Sequence, residues 1–236
     1  MNPESTHVCV VIPTLNEEGA IDACLSAVGE WPLVSVVVSD GGSNDSTLEL
    51  IRQRFPSVTI VEGAPGRGAQ LDRGVRAERA DAYLFLHADC RLPIGWLDAV
   101  RTALAEPDAA AGCFRLRTDP PKDGSSSIPA RAWWRLLDLR SRGFFLPYGD
   151  QALFVTRGVL ETAGGVPRIA LMEDVELVRR VLRHGRLVRL PLEVRTTARR
   201  FAAAPIRSRL CTATFPMLYR CGVSPDRLAR WYGSGR

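Results

Sequence analysis

The sequence predicts an α/β fold, with a mostly parallel central sheet covered by helices on both faces. Two observations predict it. From residue 8 to about residue 105, short apolar runs alternate with segments whose apolar residues recur at helical spacing. That order is the signature of strands joined by helical crossovers, which put helices on both faces of the sheet. Polar residues also close every run: Asn16 and Glu17, Asp40, the turn at Gly66 to Gly68, and His87 with Asp89. In such sheets ligands sit beyond the carboxyl ends of the strands, so these residues converge on one candidate edge.

The elements follow in order. VCVVIP is an apolar strand from Val8, and EEGAIDACLSAV is a helix whose first turn carries Glu17 and Glu18, where the dipole favours acids. LVSVVVSD is the second strand and STLELIRQRF the second helix; SVTIVEG and GAQLDRGVRAER form the third pair. DAYLFLHAD is the fourth strand, reaching Asp89, and GWLDAVRTALAE the next helix. On an extended chain His87 and Asp89, two apart, face the same side and can meet one ligand. Beyond residue 110 the texture changes. AAAGCFRLR reads as a strand, TDPPKDGSSSIP as a mobile loop able to act as a lid, and ARAWWRLLDLRS as a helix. FFLPYGDQALFVTRG returns as one strand, MEDVELVRRVLRHG is an amphipathic helix with acids in its first turn and a glycine stop, and RLVRLPLEVRTTARR is a late strand. The end of the chain mixes arginine with Phe215, Met217, Tyr219, Trp231 and Tyr232.

At 236 residues, 46% hydrophobic and with a mean hydropathy of −0.03, the chain can bury a sizeable core as one large domain with a tail. Net charge is +5 and the pI about 9.1, yet Lys122 is the only lysine. Arginine forks suit phosphates and carboxylates, but a genome-wide codon bias is the simpler cause of the excess. The basic pI comes without a basic-aromatic nucleic-acid module, so no nucleic-acid partner is expected. The six cysteines are scattered, without a CxxC pair or a Cys/His cluster, which argues against structural zinc and for reduced thiols. MNPESTHVCVVIP lacks the basic and long apolar regions of a signal peptide, and no window approaches a membrane span. A cytoplasmic protein is expected, at most peripheral at the inner membrane. The basic-aromatic tail suggests that contact, or a homodimer surface.

Taken together, VVIPTLNEE, VVVSDGGSNDST, PGRGAQLDRG, FLHAD and MEDVEL occur in the order that resembles the family 2 glycosyltransferases of GT-A fold, over roughly residues 8 to 195. HADC followed by YGDQALFV is similar to the arsenosugar-biosynthesis-type bacterial branch. The resemblance implies a GT-A domain over residues 1–200, with a nucleotide-binding half at 1–105 and an acceptor and catalytic half at 106–200, and a helical tail at 201–236 packed on it.

What the resemblance implies can be carried over residue by residue. Pro13, Thr14, Leu15 and Glu17 resemble the loop lining the base and ribose, and Asp40 matches the acid that hydrogen-bonds the base. An Asx turn into Gly41-Gly42 is the local alternative for Asp40, and Asp45 reads as a helix cap. Arg67, Gly68 and Gln70 open a helix, where backbone N–H groups and a guanidinium can face phosphate. The family often has asparagine where Asp72 stands. His87, Ala88 and Asp89 occupy the place of the DxD motif. There Asp89 matches the acid that binds a divalent cation, Mg²⁺ or Mn²⁺, on the diphosphate of a nucleotide-diphosphate sugar. His87 replaces the first acid and either meets the ribose, ligates Mn²⁺ or closes the strand. Asp174 matches the general base that takes the acceptor proton in an inverting transfer, and Glu173 positions its loop. Acids in a first turn stabilise any helix as well.

Gly149, Asp150 and Gln151 are expected to shape the sugar or acceptor pocket. Trp133, Trp134 and Tyr148 can stack on a sugar, or simply pack. The QxxRW signature of processive members is missing, so transfer of one sugar is expected, to an acceptor that is a small molecule or lipid-linked. Arg179 and Arg180 lie on a plain amphipathic helix, and Arg199 with Arg200 reads as a solvated basic pair. Two other classes compete. A nucleotidyltransferase or a Rossmann oxidoreductase would show a Gly-rich loop where PTLNEE stands. A sugar-nucleotide-binding protein without turnover is encouraged only by the missing first acid at His87.

Overall fold

The computed structural model describes residues 3–120, 147–197 and 205–232, together with 135, 136, 138, 139 and 141. The lid segment from 121 onward, Trp133, Trp134, Arg199 and Arg200 lie outside the described residues. The strands are β1 (Val8–Thr14), β2 (Val34–Asp40), β3 (Thr59–Glu62), β4 (Ala82–Phe85), β5 (Cys90–Arg91), β6 (Ala109–Asp119), β7 (Phe154–Thr156) and β8 (Arg186–Thr197). We number the described α-helices α1 (Ile21–Val28), α2 (Thr47–Arg54), α3 (Arg67–Ala77), α4 (Trp96–Ala105), α5 (Arg157–Thr162), α6 (Glu173–Val181), α7 (Pro205–Arg220) and α8 (Pro225–Tyr232).

The strands form one sheet in the order β3-β2-β1-β4-β7-β6-β8-β5. β1 to β4 are parallel, as the strand–helix alternation predicts. β7 then pairs antiparallel with both β4 and β6, and β8 returns parallel to β6. Successive residues of β1 point to opposite faces and bury both. Val8, Val10 and Ile12 join the core beneath α1, α2 and α4, with Leu25, Ile51 and Trp96. Cys9 and Val11 join the core beneath α3, α5 and α6, with Leu71, Leu160 and Leu177. Each fully buried aliphatic side chain contributes about 1.5–3 kcal/mol through the hydrophobic effect. Two layers of helix therefore clamp a sheet that has no solvated face at its centre. The five buried cysteines and the exposed Cys221 are all free thiols.

Two predicted strands are shorter than the sequence suggests. β4 stops at Phe85, and His87 to Asp89 lie in a turn closed by the Cys90 N–H on the His87 carbonyl (2.9 Å). The chain must turn there because Cys90 and Arg91 pair antiparallel with Thr196 and Arg195 of β8, at the far side of the sheet. The segment read as one strand around YGDQALFVT contains a single turn of 3₁₀-helix, Gly149–Gln151, and then Ala152 in the left-handed region (φ 47°) before the short β7. Positive φ at alanine breaks a ladder, and so confines β7 to three residues.

The last helices pack on the domain through a small apolar cluster. Cys211 and Phe215 of α7 and Leu228 of α8 surround Leu171, with Met172, Leu218 and Tyr219 at its margin. No helix among the described residues is long and apolar enough to cross a membrane.

Candidate functional site

The registers Thr14↔Asp40↔Glu62 and Val11↔Phe85 bring the carboxyl ends of β1 to β4 to one edge. Its first half is built from two loops that grip each other. Asn16 donates its N–H to the Ser43 hydroxyl (2.9 Å) and its side-chain oxygen accepts the Asn44 N–H (2.9 Å). The Glu17 N–H reaches the Thr47 hydroxyl (2.8 Å), and the Glu18 carboxylate accepts the Ser46 N–H (3.0 Å). Asp45, expected to cap α2, lies one residue before the N-cap position at Ser46 and accepts the Thr47 N–H (3.0 Å).

Asp40 is fully buried at the centre of this loop pair. Its carboxylate accepts from the Thr14 hydroxyl (3.0 Å), the Gly42 and Ser43 N–H groups (2.7 Å each) and the Ser43 hydroxyl (2.6 Å). Burial opposes its ionisation, but the bonds from Ser43, Gly42 and Thr14 outweigh it and hold its pKa below the ordinary 3.8. The Asx turn is therefore present, and it uses the lone-pair directions of both oxygens.

Gln70 is also spent on main chain. It donates to the Thr14 carbonyl (2.8 Å) and the Ser39 carbonyl (2.9 Å) and accepts from the Gly66 N–H (3.3 Å), so it ties α3 to the ends of β1 and β2. Asp72 pairs with Arg76 (3.1 Å) and receives the Arg168 Nε–H (2.6 Å), which joins α3 to the loop before α6. Pro13, Thr14 and Leu15 form the end of β1 and its exit.

The second half of the edge gathers residues from four separate segments. Arg67, in the first turn of α3, points its Nε at Glu173 (3.1 Å) and its Nη2 against the imidazole Nε2 of His87. Gly149 lies against both: a Cβ there would meet Arg67 and come within 2.9 Å of His87 Nε2. Gly68 has no room either, since a Cβ would lie 2.3 Å from the Pro167 carbonyl and 3.3 Å from Glu173. Glycine at both positions lets the arginine, the histidine and the acidic helix approach one another.

Glu173 is 2% exposed, and Asp174 beside it is half-buried. Asp174 accepts the Gly149 N–H on Oδ2 (2.7 Å) and the Val175 N–H on Oδ1 (2.8 Å), which fixes the plane of its carboxylate. Met172, in the left-handed region at φ 68°, turns the chain so that α6 starts with these acids at the edge.

The HAD turn closes the constellation. His87, Asp89 and Cys90 offer ligand atoms that all lie within 4.8 Å of one another. The sequence suggested no Cys/His cluster; the turn at Asp89 makes one, because it brings round Cys90, which an extended strand would point to the opposite face from His87 and Asp89. The buried Asp89 carboxylate and the His87 imidazole have the chemistry to hold a divalent ion. Burial, with Asp89 next in effect, pushes the Cys90 thiol well up, so it stands beside them as a neutral group. Ala88 is buried in the core beneath the turn.

Of the expected pocket residues, Gly149 is at the centre, and the Asp150 carbonyl lies 3.9 Å from Cys90 Sγ. Gln151 is buried, with its side-chain amide set between the Phe114 carbonyl and the Tyr148 N–H. Arg179 and Arg180, expected on a plain amphipathic helix, both bond Glu176 (2.8 Å each), and the Tyr219 hydroxyl of α7 donates to that carboxylate (2.9 Å).

No curated protein matches this chain. Among solved structures, S. aureus TarS residues 1–349 in complex with UDP-GlcNAc superposes with a TM-score of 0.61 at 15% identity, covering 80% of this chain and 58% of that one. The same fragment with UDP gives 0.60 at 16% identity, covering 80% and 60%, so this chain spans under two thirds of those fragments. Another structure of TarS 1–349 gives 0.61 at 14%, covering 95% and 70%. At these identities the likeness is one of fold, and the fold is GT-A. The family described as glycosyl transferase family 2 matches residues 9–157, well over half of the chain and the whole span from β1 to the start of α5. The chain with this edge of converging loops belongs to glycosyl transferase family 2.

Proposed function

We propose that this chain is an inverting glycosyltransferase that moves one sugar from a nucleotide-diphosphate sugar to an acceptor hydroxyl or phosphate. The observation that carries the reading is the meeting of Arg67, His87, Gly149 and Asp174 at one edge, with Asp174 oriented by the Gly149 N–H (2.7 Å). TarS, whose fold is shared, has been crystallised with UDP-GlcNAc and with UDP, which supports a donor of that class here. The resemblance of HADC and YGDQALFV supports the arsenosugar-biosynthesis-type branch.

In this reading the loops around Thr14, Leu15, Glu17 and Asp40 hold the base and ribose, with Asp40 setting the shape of the turn. Arg67 presents its guanidinium to the departing diphosphate, and Glu173 holds that guanidinium in place. Asp174 accepts the acceptor proton on a lone pair not used by its two backbone donors. The acceptor oxygen bonds to the anomeric carbon as the bond from that carbon to the diphosphate breaks, and the nucleoside diphosphate leaves with the electron pair. Asp89, with His87 beside it, would hold Mg²⁺ or Mn²⁺, which supplies Lewis-acid charge to the leaving group.

The test is Asp174→Asn, measured as nucleoside-diphosphate release and sugar transfer over a panel of sugar and lipid-phosphate acceptors. Loss of the base predicts transfer about 10²–10⁴-fold slower with donor affinity retained. Unchanged transfer would remove Asp174 from the reaction.

A further inference from the structure

The C-terminal helices carry a charge pattern that the site does not use. Residues 201–236 hold six arginines and one acid, Asp226, for a net of +5. The whole chain, with 31 basic and 26 acidic residues, has the same net +5, so residues 1–200 hold 25 of each and are neutral overall. All the net charge sits on the tail.

α8 places two of those arginines on one side, with the exposed Asp226 four residues before Arg230. Leu228 is fully buried in the cluster with Phe215, and the Tyr232 ring meets Phe215 edge-on at 6.2 Å. Arg227, Arg230 and Trp231, spaced three and four apart, share a different face of the helix. All three are exposed, Trp231 by 48%, and the Arg227 guanidinium lies over the Trp231 ring at 5.5 Å. On α7 the pattern recurs one turn apart, with Met217 70% exposed and Arg220 exposed beside it. A tryptophan and a methionine among arginines suit a lipid headgroup boundary, where apolar bodies enter the acyl region and guanidinium groups meet phosphates. A second copy would bring one +5 tail against another, which charge repulsion disfavours.

We propose that α7 and α8 dock this protein on an anionic lipid surface, through Trp231 and Met217 with Arg220, Arg227 and Arg230. The proposal is independent of the catalytic reading. It is tested by sedimenting the full chain with phosphatidylcholine vesicles, with and without phosphatidylglycerol, at low and high salt. Binding is expected only with phosphatidylglycerol, and weaker at high salt. Each arginine near such a surface is worth about a factor of five, so Arg227→Gln with Arg230→Gln should weaken binding about 25-fold. Trp231→Ala should weaken it several-fold. These side chains lie outside the packed cluster, so the thermal midpoints of the variants should match the parent's. Equal binding to neutral vesicles, no binding to either, or binding that the variants leave unchanged would overturn the proposal. A dimer seen by light scattering without vesicle binding would assign the face to a second copy, and salt-sensitive binding of a short DNA duplex alone would assign it to nucleic acid.

Discussion

Asp174 and Glu176 lie two residues apart on α6 and do different work, and each can be read by its own measurement. Asp174, the residue proposed as the base, faces the edge with its carboxylate pinned by the Gly149 and Val175 N–H groups. Glu176 faces the tail. Its bond from Arg179 does most to lower its pKa; burial opposes this, and Arg180 and Tyr219 then add to the lowering, to about 2 from the ordinary 4.5. A depressed carboxyl pKa contributes stability that is present above pH 4.5 and is lost as pH falls through about 2. With the two arginines half and one third exposed, the contribution is discounted to about 2 kcal/mol. Glu176→Gln should therefore lower the thermal midpoint at neutral pH, with the gap to the parent closing towards pH 2; a gap that is constant with pH would contradict the network. The part played by Tyr219 was not legible in the sequence, because its partner lies 43 positions away on a helix that reads as merely amphipathic. Cys90 was adjacent to Asp89 in plain view, but judging cysteines by CxxC spacing hides a cluster that a turn brings together.

At the scale of elements, α3 joins the two halves of the edge. Gln70 caps the ends of β1 and β2, Asp72 receives Arg168, and Gly68 admits the loop before α6. Gln70→Ala would remove a buried donor from the Ser39 carbonyl and one of two from the Thr14 carbonyl, which keeps the Gly41 N–H, a loss of about 1–3 kcal/mol that denaturant unfolding would register. Gly68→Ala places a methyl against the Pro167 backbone, which cannot swing aside as a side chain would. It should cost about 1–3 kcal/mol and displace Glu173 from Arg67, weakening donor binding as well as lowering the midpoint. A parent-like midpoint and donor affinity would contradict this packing. The strands and helices up to α4 were legible because apolar runs and helical repeats are local signals. β5 and the 3₁₀ turn at Gly149 were not, since both are dictated by distant partners, Thr196 for Cys90 and Asp174 for Gly149. Asp40 was legible as a polar strand end, but a sequence cannot tell a carboxylate waiting for a base from one filled by its own turn.

Over the whole molecule, a neutral α/β body carries the edge and a +5 tail packs on the same helix that bears Glu173 and Asp174, through Tyr219, Leu171 and Met172. Phe215→Ala would open that cluster at a cost of about 3–5 kcal/mol and release α7. Faster amide exchange in α7, with the central sheet still protected, is the expected signature; uniform exchange would mean that the tail and body unfold as one. The family fixes the fold around this edge, and the donor remains the point on which the functional account turns. Its most direct test is calorimetric titration of the full chain with UDP-, GDP- and dTDP-sugars, with and without Mn²⁺, alongside Asp89→Ala. One nucleotide class is expected to bind, Mn²⁺ to strengthen that binding, and Asp89→Ala to abolish the effect of the ion. No binding of any donor under either condition would contradict the functional account.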